Sequence, residues 1–420
     1  MISLSNNKNK HFYLLRDYLA YMISKVIPGF AGFFSIILFF NLLGPAEFGR
    51  YSLIFSFINM CSAFSFGWLS QSMIRYFYKI KMNNKISIVI FNGIIFSSFI
   101  CLILLGSFHF FEFPFQSNFK LLIILAISLG GFSVSVAFFQ SNQMPGMVVK
   151  LSGIQAILSI AIPFLIIKIN GPFYISMLTG LIVAYSLPFI YVFISSSIKS
   201  KNWRFKFSFQ TLKPLIQFGF PLSFWFVVSF SLRFLERFSI EHFLGLEMMG
   251  SYAGYVEVFT RIFSIFLFPL TLAVHPRIMN LWNKNKFKET IALLKISLIV
   301  QASILGLLIL LFTSFKQLIF GLFLKLVPQL DPAMEVILIP VLLGGFIWQY
   351  ALLIHKPLEL KEKSGLMLLF IIISAIITIF GNFIFLPKYG IIATAYTTIV
   401  SGGMYLFLTT IASRKFWLQK

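Results

Sequence analysis

The chain has 420 residues, of which 59% are hydrophobic and only 11% are charged. In a water-soluble domain about a quarter of the residues are charged. So few charged residues could not cover the surface of a soluble protein of this size. This composition excludes a soluble enzyme or binding module and predicts an all-α integral membrane protein. The two cysteines, Cys61 and Cys101, lie in apolar runs and offer neither a disulfide framework nor a metal-thiolate spacing.

Apolar runs long enough to cross a bilayer follow one another almost without interruption. All the connections between them are short, so none is expected to fold into a catalytic domain. The runs predict about twelve transmembrane helices, near residues 15–42, 50–77, 86–111, 119–143, 148–169, 172–197, 215–244, 250–276, 289–315, 335–355, 365–386 and 390–412. The longest polar stretches are predicted around residues 199–213, 277–288 and 316–332.

Basic residues are distributed unevenly between the two ends of these helices. If the N-terminus is cytoplasmic, Lys and Arg at the cytoplasmic ends outnumber those at the opposite ends roughly four to one. This bias predicts that both termini are cytoplasmic. The same bias, together with attraction to an anionic inner leaflet, explains the net charge of +22 without nucleic-acid binding.

One motif occurs twice. Leu43-Gly44, followed by Gly49 and Tyr51, recurs 201 residues later as Leu244-Gly245, followed by Gly250 and Tyr252. Two glycines five residues apart allow positive φ in a tight turn between helices. The repeat predicts two six-helix lobes at residues 1–198 and 215–420, joined by a basic cytoplasmic linker at 199–214. Pseudo-two-fold symmetry between such lobes is typical of alternating-access transporters with a site between the lobes.

Charged side chains within membrane spans are costly and indicate functional sites. The seventh span carries Arg233, Glu236, Arg237 and Glu241, the eighth carries Glu257 and Arg261, and the first carries Lys25. At the helical rise, Arg261 lies about 16 Å into its span. The four cations are predicted to line a cavity and bind an anionic headgroup, because the guanidinium fork suits a diphosphate. The three carboxylates are candidate charge partners or ion-coupling groups.

Each of these residues also has a structural interpretation. The four charges of the seventh span could neutralise one another along one helix, and Glu257 could pair with Arg261 one turn away. Lys25 could extend to the cytoplasmic interface. His275 and His355, which end the eighth and tenth spans, are either interfacial residues or proton-linked groups.

Motifs of known chemistry are absent from the sequence. There is no His, Cys, Asp or Glu set with metal-ligand spacing, no Gly-rich phosphate loop and no Ser–His–Asp order. The sequence therefore predicts a transporter rather than an enzyme, with no resident metal or cofactor. Without an ATP site, the energy would come from a proton or sodium gradient, or from mass action.

Several segments resemble the polysaccharide repeat-unit flippases (Wzx type) of the multidrug/oligosaccharidyl-lipid/polysaccharide (MOP) exporter superfamily. In chain order they are Leu43-Gly44-Pro45-Ala46-Glu47-Phe48-Gly49-Arg50-Tyr51, Gly67-Trp68-Leu69-Ser70-Gln71-Ser72-Met73-Ile74-Arg75-Tyr76, Phe218-Gly219-Phe220-Pro221-Leu222, Leu235-Glu236-Arg237-Phe238 with the turn that follows it, and Leu386-Pro387-Lys388-Tyr389-Gly390-Ile391. The resemblance spans the chain. It supports Glu236 and Arg237 as site residues, with Glu236 where the family often has Asp.

The resemblance implies a MATE-like fold and a flippase of the bacterial inner membrane. Its cargo would be an undecaprenyl-diphosphate-linked oligosaccharide, such as an O-antigen or capsule repeat unit. Its partners would be that cargo, membrane lipids and other polysaccharide-assembly membrane proteins.

Three alternatives stay open at this point. A multidrug exporter of the same superfamily would bind organic cations, which a basic cavity repels. A repeat-unit polymerase or ligase would need a sizeable outside loop, and the longest here is the region 316–332. A flippase for another lipid-linked precursor would share the same charge chemistry.

Overall fold

The computed structural model describes residues 3–82, 86–110, 118–142, 144–199 and 209–417. These ranges are helical almost throughout and contain no strand. The helices are α1 (Ser3–Met82), α2 (Ile86–Phe110), α3 (Phe119–Ser141), α4 (Pro145–Asn170), α5 (Tyr174–Lys199), α6 (Phe209–Phe266), α7 (Phe268–Asn283), α8 (Phe287–Ser314), α9 (Lys316–Leu326), α10 (Leu338–Ile354), α11 (Lys356–Leu360), α12 (Ser364–Tyr389) and α13 (Ile391–Trp417). A 3₁₀ helix, Pro332–Ile337, precedes α10.

The all-α membrane class is confirmed. In the described part of the chain, nine helices are long and apolar enough to cross a membrane, or ten if one bent pair counts as a span. One of the nine, Pro28–Phe77, contains 50 residues. At the helical rise that is about 75 Å, more than twice the thickness of a hydrocarbon core. The count of twelve stays a prediction.

Two glycines divide the two longest helices. Gly44 in α1 has φ 76° and ψ 168°, and Gly245 in α6 has φ 85° and ψ 172°. Residues with a Cβ are strained at such positive φ values, whereas glycine adopts them readily. These are the first glycines of the two repeats, so the predicted turn between helices is confirmed at both copies.

The second glycine of each repeat has a different use. Neither Gly49 nor Gly250 has a positive φ, so the expectation that both glycines form the turn is wrong. Instead, a Cβ on Gly250 would lie 1.8 Å from the carbonyl oxygen of Pro45, and one on Gly49 would lie 2.7 Å from that of Leu246. The two repeats therefore contact each other backbone to backbone, and only glycine leaves room for this approach.

The chain forms two compact units. Unit 1 contains residues 1–31 and 54–230, and unit 2 contains residues 32–53 and 231–420. The lobes predicted at residues 1–198 and 215–420 stay a prediction, because packing in one conformation does not measure which parts move together.

In unit 1, the second arm of α1 packs against the first part of α6. Phe64 makes edge-to-face contacts with Phe220 and Phe224. A Cβ on Gly219 would lie 2.2 Å from the carbonyl oxygen of Trp68, so the two helices approach as closely as backbones can.

In unit 2, α6 after Gly245 packs against α8 and α9 through aromatic rings. Tyr255 and Phe259 contact Phe323 of α9, and Phe259 also contacts Phe312 of α8. The helix α9 lies in a region that the sequence predicts as a polar connection. That expectation is wrong because Lys316 and Lys325 flank eight residues that include six large apolar side chains.

The predicted eighth span, near residues 250–276, is interrupted. The helix α6 ends at Phe266 and α7 begins at Phe268, so the break comes just before Pro269. Proline has no backbone N–H and its ring crowds the preceding turn, which interrupts the helical ladder there.

Candidate functional site

The charged residues of α6 are brought together by the turn at Gly245. Arg233 precedes Gly245 by twelve residues and Glu257 follows it by twelve. At the helical rise both lie about 18 Å from the turn. The two arms fold back on each other, and the Nη1 of Arg233 lies 3.6 Å from the Oε1 of Glu257.

Three arginines converge on this one carboxylate. Arg237 Nη2 lies 2.6 Å from Glu257 Oε1, and Arg261 Nη2 lies 3.9 Å from Glu257 Oε2. We call Arg233, Arg237 and Arg261 around Glu257 the arginine cluster. With three cations against one anion, it carries an excess of two positive charges.

The three arginines differ in exposure. The side chain of Arg237 is 8% exposed and also donates to the carbonyl oxygen of Ser52 at 3.0 Å. The side chains of Arg233 and Arg261 are 52% and 39% exposed. Arg237 thus joins the arms of α6 to α1, while Arg233 and Arg261 keep donors available to a ligand.

The guanidinium of Arg261 lies directly against α1. A Cβ on Gly32 would lie 2.9 Å from Arg261 Cζ and Nε, so a larger residue there would displace the side chain. The Nε of Arg261 is buried without a hydrogen-bond partner among the described residues. An anionic oxygen placed there would satisfy this donor.

Glu236 is held by hydroxyl groups and forms no ion pair with the arginine cluster among the described residues. Its Oε1 accepts hydrogen bonds from the hydroxyl of Tyr252 and, at 2.9 Å, from the hydroxyl of Thr398 on α13. Glu241 is half-buried and forms no ion pair in the part of the chain that the structure describes. Arg233 and Arg237 form their ion pairs with Glu257 on the other arm rather than with Glu236 or Glu241.

Lys25 lies within α1, but its side chain is outside the part that the structure describes. Its predicted role stays a prediction.

Three functional partners were missed by the sequence argument, namely Ser52, Tyr252 and Thr398. Tyr252 belongs to the repeat motif and lies seven residues after Gly245, while Glu236 lies nine before it, so their similar distances from the turn would have indicated that the two come close. Thr398 is 162 residues from Glu236. No pattern in the sequence indicates that contact.

The two histidines form part of a second polar cluster. His355 is 3% exposed, and its Nδ1 lies 3.0 Å from the hydroxyl of Tyr405. The Nε2 atoms of His275 and His355 lie 3.8 and 3.9 Å from the carboxylate of Glu359, which also pairs with Lys356. His355 is therefore buried and links the end of α10 to α13, while the interfacial and proton-linked interpretations of the two histidines stay predictions.

Among the described residues, no group of three or more His, Cys, Asp or Glu is arranged to hold a metal ion. Cys61 and Cys101 are both buried, free thiols.

Comparison with known proteins gives the family. A sequence model of the polysaccharide biosynthesis protein family matches residues 14–282, well over half of the chain. The chain belongs to this family. No match is found among curated protein sequences.

Solved structures with the same fold are flippases and transporters of the MOP superfamily. A structure titled lipid II flippase MurJ, inward closed conformation, superposes with a TM-score of 0.74 at 18% identity, covering 95% of this chain and 89% of that one. An inward-facing MATE family multidrug resistance transporter gives 0.67 at 13% identity, covering 94% and 98%. An outward-facing one gives 0.62 at 13% identity, covering 95% of both chains.

The family, the fold and the apolar helices together make the protein a multi-pass membrane protein of the polysaccharide biosynthesis family, with the fold of the MurJ flippase and the MATE transporters. The resemblance drawn from the motifs is thereby confirmed at the level of this family and this fold.

Proposed function

We propose that the protein moves undecaprenyl-diphosphate-linked oligosaccharide repeat units, of O-antigen or capsule type, from the inner to the outer leaflet of a bacterial inner membrane. The repeat unit enters from the cytoplasmic side and leaves on the other side by alternating access. Both termini are cytoplasmic in this proposal, in keeping with the positive-inside bias.

The arginine cluster is the observation that carries the proposal. Glu257 neutralises only one of three guanidinium groups, and Arg233 and Arg261 remain partly exposed beside it. A diphosphate presents several anionic oxygens, which planar guanidinium groups bind in pairs. An organic cation would be repelled by the excess positive charge, so the multidrug alternative is disfavoured.

A flippase for another lipid-linked precursor is the second candidate. One neighbour in fold is named a lipid II flippase, and a precursor of that class would place the same anionic chemistry against the arginine cluster. The match to the polysaccharide biosynthesis family favours the repeat-unit cargo over it.

Deletion of the gene in its native host tests the function. We expect surface glycan to disappear while undecaprenyl-diphosphate-linked repeat units accumulate on the cytoplasmic side. Gel analysis of surface glycan and mass spectrometry of extracted lipid-linked intermediates provide the measurement, with the restored gene as control.

Two outcomes of the deletion contradict the proposal. Single repeat units on the cell surface, capped but not polymerised, would mean that translocation continues and that a polymerase has been lost. Intact surface glycan with accumulation of a different lipid-linked precursor would favour the second candidate.

We further propose that Glu236 couples transport to a proton or sodium gradient. Its Oε1 is held by the hydroxyls of Tyr252 and Thr398, and among the described residues no hydrogen bond reaches its Oε2. A carboxylate held by neutral donors, and not by a paired cation, retains the charge needed to take up a proton or a sodium ion. Glu257 is less suited, because three arginines surround it.

A Glu236→Gln variant tests the coupling, since it keeps the shape and removes the charge. In proteoliposomes with an imposed proton or sodium gradient, we expect the gradient to accelerate exposure of the oligosaccharide to external periodate in the wild type but not in the variant. Slow transport without a gradient should persist. Glu241→Gln is the matched control on the same helix, and it should respond to the gradient as the wild type does. An equal response by Glu236→Gln would rule out Glu236.

A further inference from the structure

The short helix α9 presents three chemically different sides. Phe320 and Phe323 are buried against the aromatic rings of Tyr255 and Phe259. Successive residues of an α-helix are rotated by about 100° around its axis. On this basis the exposed side chains fall into two neighbouring groups on the rest of the circumference.

The first exposed side is apolar. Leu318, Leu322 and Leu326 follow one another at four-residue intervals, and each is at least half exposed. Phe315, immediately before the helix, extends the same stripe. The second exposed side is polar and lies between this stripe and the buried rings; it contains the exposed Gln317 and Lys325, with the partly buried Gly321 between them.

One side of α9 packs on the protein, a second side is exposed and apolar, and a third is exposed and polar. A helix of this kind fits the boundary between a bilayer and water. Eleven residues span about 16 Å, too short to cross the hydrocarbon core. A helix lying along the interface buries an apolar face among the acyl chains and leaves its polar face in water.

The apolar stripe is continuous with a surface that faces lipid. The preceding helix α8 is a candidate membrane span, and its last turns expose Leu307, Leu310 and Leu311. Phe315 follows Leu311 by four residues, about one helical turn, so the exposed apolar surface of α8 continues along one side into that of α9, beside the exposed Thr313 and Ser314. Lys325, at the edge of the stripe, supplies a positive charge suited to lipid phosphate.

We propose that α9 is an interfacial helix that inserts the stripe Leu318–Leu322–Leu326 into the lipid leaflet at the glycine-turn end of unit 2, the outer leaflet in the orientation proposed above. Its partner is the phospholipid surface itself. The inference concerns membrane contact and holds whatever the cargo is.

The same helix is tied to the turn at Gly44. The side chain of Asn41 donates to the carbonyl oxygen of Leu326 at 2.6 Å. A Cβ on Gly44 would lie 3.2 Å from the Oε1 of Gln329, three residues after the end of α9. The interfacial helix therefore holds the end of the first arm of α1 at a fixed depth in the membrane.

Spin labels on single cysteines test the proposal in proteoliposomes. The labels are placed at Leu318 and Leu322 on the apolar side and at Gln317 and Lys325 on the polar side, in a background without Cys61 and Cys101. Accessibility to oxygen, which concentrates in lipid, is compared with accessibility to a water-soluble nickel chelate by power saturation. We expect labels at 318 and 322 to favour oxygen and labels at 317 and 325 to favour the chelate, by several-fold in each case.

Two results would overturn the proposal. Equal access of the nickel chelate to all four positions would place α9 in water. Exclusion of both reagents from 318 and 322 would mean that a second copy or another protein covers the stripe. Because all four side chains are exposed, the labels leave the buried contacts of α9 intact, and neither result depends on transport activity.

Discussion

Arg233 and Arg50 have the same side chain and nearly the same exposure, 52% and 50%, but they differ in what surrounds them. Arg50 pairs with Glu47 at 3.4 Å, one cation with one carboxylate. Arg233 shares Glu257 with two further arginines, so its charge is only partly balanced. Arg233 and Arg50 therefore differ in local charge balance, and this difference makes Arg233 the candidate site residue.

This difference predicts the effect of removing each charge. Arg233→Ala should reduce transport of the lipid-linked oligosaccharide at least about tenfold, because one charge-assisted hydrogen bond to a ligand contributes roughly 1.5–3 kcal/mol. Folding should be retained, because Glu257 keeps Arg237 at 2.6 Å.

Arg50→Ala is the matched control and should transport within about twofold of the wild type, since exposed ion pairs contribute little. Restored surface glycan in the deletion strain, at equal amounts of each variant in the membrane, is the measurement. Equal transport by the two variants would remove Arg233 from the site.

At the scale of elements, the two glycines of each repeat have different structural roles. The first of each pair permits the sharp turn that lets α1 and α6 fold back, and the second permits two turns to contact backbone to backbone. The contact is symmetric, because the offset of 201 residues pairs Pro45 with Leu246 and Gly49 with Gly250.

The closer of the two contacts predicts a stability effect. Gly250→Ala would place a methyl group 1.8 Å from the carbonyl oxygen of Pro45, so the backbone must move. Overpacking of this kind destabilises by about 1–3 kcal/mol. We expect the purified variant to melt several degrees below the wild type.

Gly306→Ala is the control, because a Cβ at Gly306 in α8 meets nothing within 4 Å. It should melt at or slightly above the wild-type temperature, since alanine favours the helix. If the two variants melt together, the close contact at Gly250 does not form in the membrane protein.

At the scale of the whole molecule, the chain combines an internal repeat with a fold shared by inward-facing and outward-facing transporters. Alternating access between such states is part of the proposed function. The glycine contacts between the repeats lie within unit 2, so they hold the two turns together inside one compact unit.

The sequence by itself determined the class of the protein and much of its candidate site. Low charge and long apolar runs are local properties, so the membrane class followed from composition. The repeat identified Gly44 and Gly245 as turn residues, since their positive φ is a local demand on one residue. The unbalanced cations Arg233 and Arg261 were evident because charge within an apolar run is costly wherever it lies.

Only the tertiary structure decided which charges meet. The three arginines converge on Glu257 because α6 folds back at Gly245, and Glu236 contacts Thr398 across 162 residues of chain. The helix α9 was missed because its apolar residues lie on two sides of the circumference, one against aromatic rings and one exposed. A periodic pattern in the sequence predicts a single apolar face. It does not tell whether an apolar side chain contacts protein or lipid.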